Sequence, residues 1–148
     1  MAGPAEPCRV VAGRTTTRVR YPETDQMGLA HHTHFLVWFE LGRTELMRDL
    51  GCPYGEMEKE EGLFFPVIRL EAAYHAPALY DEEVVISTRI VRIGGVRVKF
   101  EYLVSREKDG TKLATGSTEH AAVDGKGSPR RLPAKVRRRL GGSEERGG

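Results

Sequence analysis

"THFLVWFELGRTELMRDLG", Thr33 to Gly51, is the stretch whose reading decides the fold. It runs without proline to Gly51, which stands where a helix C-cap glycine belongs, so the spacing predicts one long helix. Its first half, Phe35 to Phe39, is apolar on every face, a pattern that in a water-soluble chain implies burial on nearly all sides. Something must wrap around it. Upstream, Thr15, Thr17, Val19 and Tyr21 alternate with Thr16, Arg18 and Arg20, the period of two of a half-buried strand. The loop 22–31 between strand and helix carries the turn residues Pro22, Asp25 and Gly28.

Downstream, "YGEMEKEEG" (54–62) reads as a short acidic helix, and four strands are expected at about 64–74, 83–93, 96–106 and 111–123. The third is the cleanest, with Val96, Val98, Phe100, Tyr102 and Val104 on one face and Arg97, Lys99 and Glu101 on the other. Gly94-Gly95 and Asp109-Gly110 at the joins are tight-turn signals for antiparallel hairpins. Strand, buried helix, then hairpin-joined strands is an α+β order, most economically met by a curved, mostly antiparallel five-stranded sheet around one central helix.

The chain of 148 residues is long enough for one core and too short for two comfortable domains. No apolar run approaches the roughly 18–20 residues needed to cross a bilayer. "MAGPAEPCRVVAG" has neither the basic start nor the apolar core of a secretory signal, which makes the cytoplasm the expected compartment. Cys8 and Cys52 lie far apart and read as free thiols. The formal net charge of +2 is uneven, because 126–148 hold eight Lys/Arg against two Glu, leaving about −4 on 1–125. The expected layout is an N-terminal extension (1–14), one domain (15–125) and a basic tail (126–148), partly disordered over the Gly-rich last eight residues. Without interleaved aromatics or a docking motif, the tail does not predict a nucleic-acid partner.

Asp25 has two readings at this point. A carboxylate ionised at neutral pH can act as a nucleophile or take a proton from water, and Asp also commonly serves turns and helix caps. His32 falls at or near the first helical turn, where backbone N–H groups lack intrahelical partners, so its amide could polarise a carbonyl. His31, His32 and His34 do not make a catalytic metal site by themselves, since a third ligand and an open position are needed; no metal is expected. Glu40 and Arg43, three apart, are expected to form a helix ion pair, and Gly42 to mark close packing.

"VRYPETDQMGLAHHTHFLVWFELGRTE" (19–45), "YHAPALYDEE" (74–83) and "LATGSTEHAAVD" (113–124) resemble, in order, the hotdog-fold acyl-CoA thioesterases of the 4-hydroxybenzoyl-CoA thioesterase family. The matching pattern is Tyr21, Asp25, Gly28, His32 and "WFELGR". The resemblance implies a five-stranded hotdog domain, assembled edge to edge as a homodimer or homotetramer with sites between protomers, that hydrolyses acyl-CoA or aroyl-CoA without metal or other cofactor. It implies Asp25 as nucleophile or general base, the His32 amide at the carbonyl with its ring orienting substrate or water, and Tyr21 as a hydroxyl near the same site. Two alternatives share the fold. An enoyl hydratase or dehydratase would need a "GDxNPxH"-like stretch, for which "ETDQMGLAHH" offers no Asn-Pro. A non-enzymatic acyl-CoA-binding protein would have no use for Asp25. Arg89, Arg92, Arg97 and Lys99 are candidates for coenzyme A phosphates that the sequence does not separate from solubilising charges.

Overall fold

The computed structural model describes residues 11–142. Five strands, β1 (Val11–Arg18), β2 (Val67–Tyr74), β3 (Glu83–Ile93), β4 (Arg97–Arg106) and β5 (Lys112–Ala121), form one sheet in the order β1-β3-β4-β5-β2, every neighbouring pair antiparallel. The helix α1 (His32–Asp49) lies across it, followed by a short α2 (Tyr54–Glu56) that runs into a π turn at Met57–Glu61, with α3 (Ala134–Arg139) near the C-terminus. The α+β expectation, the long helix and both hairpins are borne out.

Why α1 stops where it does is visible in its last turn. Gly51 takes a left-handed φ of 80°, its N–H reaching the Arg48 carbonyl (3.0 Å) and the Cys52 N–H the Met47 carbonyl (2.8 Å), the paired bonds of a Schellman cap. Phe35, Trp38, Phe39, Gly42, Leu46 and Met47 are buried against a sheet face that includes Val84, Ile86, Val98, Phe100, Tyr102 and Val104, with the Phe39 and Tyr102 rings stacked at 4.5 Å. The burial expected on nearly all sides is not met within the chain: Val37 is 50% exposed and Glu40 is exposed, because the sheet covers one side of the helix only. Nor does Glu40 pair with Arg43 among the described residues; the Arg43 guanidinium turns inward to the Tyr102 hydroxyl at 3.5 Å.

Gly42 does mark a close approach. A Cβ there would lie 2.6 Å from Ile86 Cγ2 and against Thr88 Oγ1. In an exposed helix Gly→Ala gains about 1 kcal/mol, but here overpacking opposes it by about 1–3 kcal/mol. Gly42→Ala is therefore expected to lower Tm by several degrees, where propensity alone would raise it; a thermal melt of the two proteins decides the sign.

One polar seam crosses the core. His120, 1% exposed, has Nδ1 3.0 Å from the Phe65 carbonyl and Nε2 2.8 Å from Thr118 Oγ1, which lies 2.5 Å from the Tyr102 hydroxyl. A carbonyl only accepts, so Nδ1 carries the hydrogen and the chain runs one way, Arg43 to Tyr102 to Thr118 to His120 to Phe65. Burial pushes the His120 pKa down to about 4.

Both ends of the chain differ from the sequence expectation. β1 begins at Val11, so 11–14 belong to the sheet, Val11 facing Ile90 across the ladder. At the other end the charge run is not simply solvated. Leu132, Val136 and Leu140 are buried, and Arg130, Arg137 and Arg139 donate to the carbonyls of Glu61, Gly94 and Gly51. The disorder expected of the last eight residues concerns 143–148 chiefly, which lie outside the described residues, as does Cys8; Cys52 is a buried free thiol.

Candidate active site

The loop between β1 and α1 is a small hairpin made by local chemistry. Pro22 fixes φ in a 3-10 turn at Tyr21–Glu23, and the Thr24 hydroxyl donates back to the Tyr21 carbonyl (2.7 Å). A bridge between Thr24 and Ala30 closes the hairpin neck, and Gly28 takes the left-handed turn position at φ 76°. The Asp25 N–H donates to the Leu29 carbonyl at 2.8 Å. A second segment, 78–80, pairs alongside: Ala30 N–H reaches the Ala78 carbonyl (2.8 Å) and Tyr80 N–H the Gly28 carbonyl (3.0 Å).

Asp25 sits on this hairpin with its two carboxylate oxygens in different states. Oδ1 accepts from the amides of Met27 (2.8 Å) and Leu29 (3.2 Å), while Oδ2 has no hydrogen bond among the described residues, and the side chain is exposed. Turn-making and chemistry, the two readings open from sequence, are thus compatible: one oxygen holds the loop and orients the other toward solvent.

The hairpin returns directly to the start of α1. His31 is the N-cap, its Nδ1 accepting from the Thr33 N–H at 3.3 Å, and the His34 N–H bonds the His31 carbonyl at 2.9 Å. Among the described residues none accepts from the His32 N–H, so this amide points out of the helix end with the positive pole of the helix dipole behind it. The His32 ring is exposed, tilted against His31 at 4.5 Å and edge-on to Tyr74 at 6.2 Å. Asp25 and the His32 amide are therefore brought to the same end of α1 through backbone bonds, whereas Tyr21 is 76% exposed and stands edge-on to Tyr80 at 6.0 Å, its hydroxyl without a hydrogen-bond partner among the described residues.

The three histidines do not converge. His31 is occupied by Thr33 and the His34 Nδ1 faces Glu23 Oε2 at 3.9 Å; among the described residues no three His, Cys, Asp or Glu side chains are placed to hold a metal ion. Of the cations considered for phosphate contacts, Arg89 is paired with Glu101 at 2.6 Å on the sheet face. Two residues beside the candidate site have no role that their own spacing in the sequence marks. Tyr74, from β2, donates to the His32 carbonyl at 3.1 Å and packs on Phe35, and Glu23 is buried beneath the hairpin neck. Their partners are 42 residues away for Tyr74 and, for Glu23, partly on the next element, beyond the reach of local spacing.

Comparison with known proteins agrees with the fold. The family model described as thioesterase superfamily matches residues 27–113. A putative acyl-CoA thioesterase, YneP of Bacillus subtilis, is 39% identical over 106 residues, covering 72% of this chain and 75% of that one. Among solved structures, a probable thioesterase from Bartonella henselae is 34% identical with a TM-score of 0.77 over 82% of this chain and 99% of that one. A 4-hydroxybenzoyl CoA thioesterase, at 16% identity, shares the fold with a TM-score of 0.81 over 88% of this chain and 99% of that one. A helix laid across a five-stranded antiparallel sheet, together with these matches over most of its length, means that the chain belongs to the thioesterase superfamily and carries its hotdog fold.

Proposed function

We propose that the chain hydrolyses an acyl-CoA or aroyl-CoA thioester to the free acid and coenzyme A, with Asp25 as nucleophile or general base and the His32 amide polarising the carbonyl. The observation that carries this reading is the division of labour at Asp25: Oδ1 is held by two amides, Oδ2 is open, and the hairpin that bears it ends at a helix start with an unused N–H. In the general-base route Oδ2 takes a proton from water, the hydroxide adds to the thioester carbon, and the tetrahedral oxyanion collapses with loss of thiolate. In the nucleophilic route Oδ2 itself adds, thiolate leaves, and water hydrolyses the mixed anhydride. Either way the negative charge develops on the former carbonyl oxygen, where an oriented amide is worth about 3 kcal/mol. Thiolate needs little acid help to depart, so neither route requires a metal or other cofactor. Release of free thiol from short-chain, long-chain and aromatic acyl-CoAs tests the activity; no release from any CoA or carrier-protein thioester would sink it.

The proposed assembly is a homodimer or homotetramer joined along β2. This edge strand leaves Val67, Ile68, Leu70 and Tyr74 each more than 40% exposed, an apolar edge that an isolated protomer would present to water. Leu70→Lys is expected to shift the molar mass measured by light scattering toward the monomer, while unchanged mass would place the contact elsewhere. Among the described residues no helix is long and apolar enough to cross a membrane. We place the enzyme in the cytoplasm, where a free thiol such as Cys52 stays reduced.

A further inference from the structure

Glu23 is the only buried carboxylate among the described residues, at 4% exposed, and the chemistry above makes no use of it. A buried carboxylate is costly unless it is tied to several partners. Here Oε1 accepts from the Arg20 N–H (2.8 Å), Oε2 from the Arg20 guanidinium (3.2 Å), and Oε2 faces His34 Nδ1 on the first turn of α1 at 3.9 Å. The backbone of the same residue accepts from the N–H of the N-cap His31 (2.9 Å) and donates to the Arg20 carbonyl (2.9 Å). Strand exit, hairpin neck and helix start thus all meet at residue 23. The local turn does not need the charge, since Pro22 and the Thr24 hydroxyl already make it. What the carboxylate adds is a negative charge held by Arg20 that faces His34 Nδ1 at 3.9 Å, a buried nitrogen with no hydrogen-bond partner.

We propose that Glu23 is a positioning residue, which fixes the Asp25 hairpin on the N-terminus of α1 and thereby sets the carboxylate against the His32 amide. The proposal rests on the reading of Asp25 as the catalytic acid. Displacement of a reacting group by about 1 Å can cost roughly 10²-fold in rate, so the effect falls on kcat and not on substrate capture.

The test uses the full chain and three variants assayed with the acyl-CoA that wild type hydrolyses fastest. Glu23→Ala is expected to lower kcat by about 10–100-fold with KM changed less than about threefold, and to raise amide hydrogen exchange in 24–31 while the sheet exchanges as in wild type. Glu23→Gln keeps an acceptor for the Arg20 N–H and a polar group facing His34, and is expected to recover most of the rate and the protection. If Glu23→Ala does not fold, His34→Ala carries the test, a fall in kcat at steady KM supporting the proposal. Wild-type kcat with wild-type exchange in whichever of Glu23→Ala and His34→Ala folds, or a lowered Tm with kcat unchanged, would overturn it. Asp25→Asn, run in parallel, separates the two claims: activity retained there defeats the reading of Asp25, whereas activity lost there beside a wild-type Glu23→Ala defeats only the role of Glu23.

Discussion

Asp25→Asn is expected to lower kcat for thioester hydrolysis by about 10²–10⁴-fold while leaving the fold intact. The asymmetry of the two carboxylate oxygens is what makes this substitution informative. An Asn carbonyl oxygen can take the place of Oδ1 and accept from the Met27 and Leu29 amides, so the hairpin keeps its shape. The amide nitrogen that replaces Oδ2 is neither basic nor nucleophilic, so both routes to hydrolysis are closed together. Asp25→Ala removes the loop bonds as well, each worth about 1 kcal/mol, and adds a loss of stability to the loss of rate. The expected pattern is an Asn variant that melts with wild type and an Ala variant that melts earlier, both nearly inactive. If the Asn variant hydrolysed at the wild-type rate, Asp25 would be a turn residue and the acid would have to be sought elsewhere.

How much of this could be read from the chain depends on the range of the interactions involved. Val98, Phe100, Tyr102 and Val104 alternate because a strand's period is a local property, and Asp109-Gly110 turns because of its own backbone freedom, so β4 and its hairpins were legible. The start of β1 was not, because Gly13 occupies an inward position against Leu46 with no side chain to mark it. Val37 reads as core in a run of apolar residues, yet which side of a helix is covered depends on the sheet's extent and cannot be coded in the helix itself. In the basic tail, Leu132, Val136 and Leu140 stand four apart, Val136 within α3 and the other two at its ends, an apolar spacing that the surrounding charges obscured. The candidate acid was found through a motif, whereas Glu23 and Tyr74 acquire meaning only from partners that the fold delivers.

Acidification should unfold this protein partly through one side chain, His120. In the folded chain burial holds its pKa down at about 4, against 6.5 for an ordinary imidazole. Above pH 6.5 both folded and unfolded states carry a neutral ring, and the residue contributes no pH dependence. Between 6.5 and 4 the unfolded state binds a proton that the folded state refuses, so stability falls as pH falls; below 4 both are protonated and the slope from this group ends. The full loss is about 3 kcal/mol, a large share of the stability of a domain this size. Asp109, Asp124 and Glu61, whose pKa values are lowered by hydrogen bonds from Thr111, from Ser128 and from Lys135 respectively, add their own acid sensitivity at lower pH, but equally in a variant that lacks the imidazole. His120→Gln is therefore the useful control. It is expected to be less stable than wild type at pH 7.5, because a flexible amide will not reproduce both the Phe65 and Thr118 bonds, and to close that gap as pH drops to 4. Urea midpoints at fixed protein concentration over pH 7.5 to 4 measure the difference. Parallel curves for the two proteins would mean that the ring titrates normally in the folded state, and that its burial between Thr118 and Phe65 does not hold it neutral.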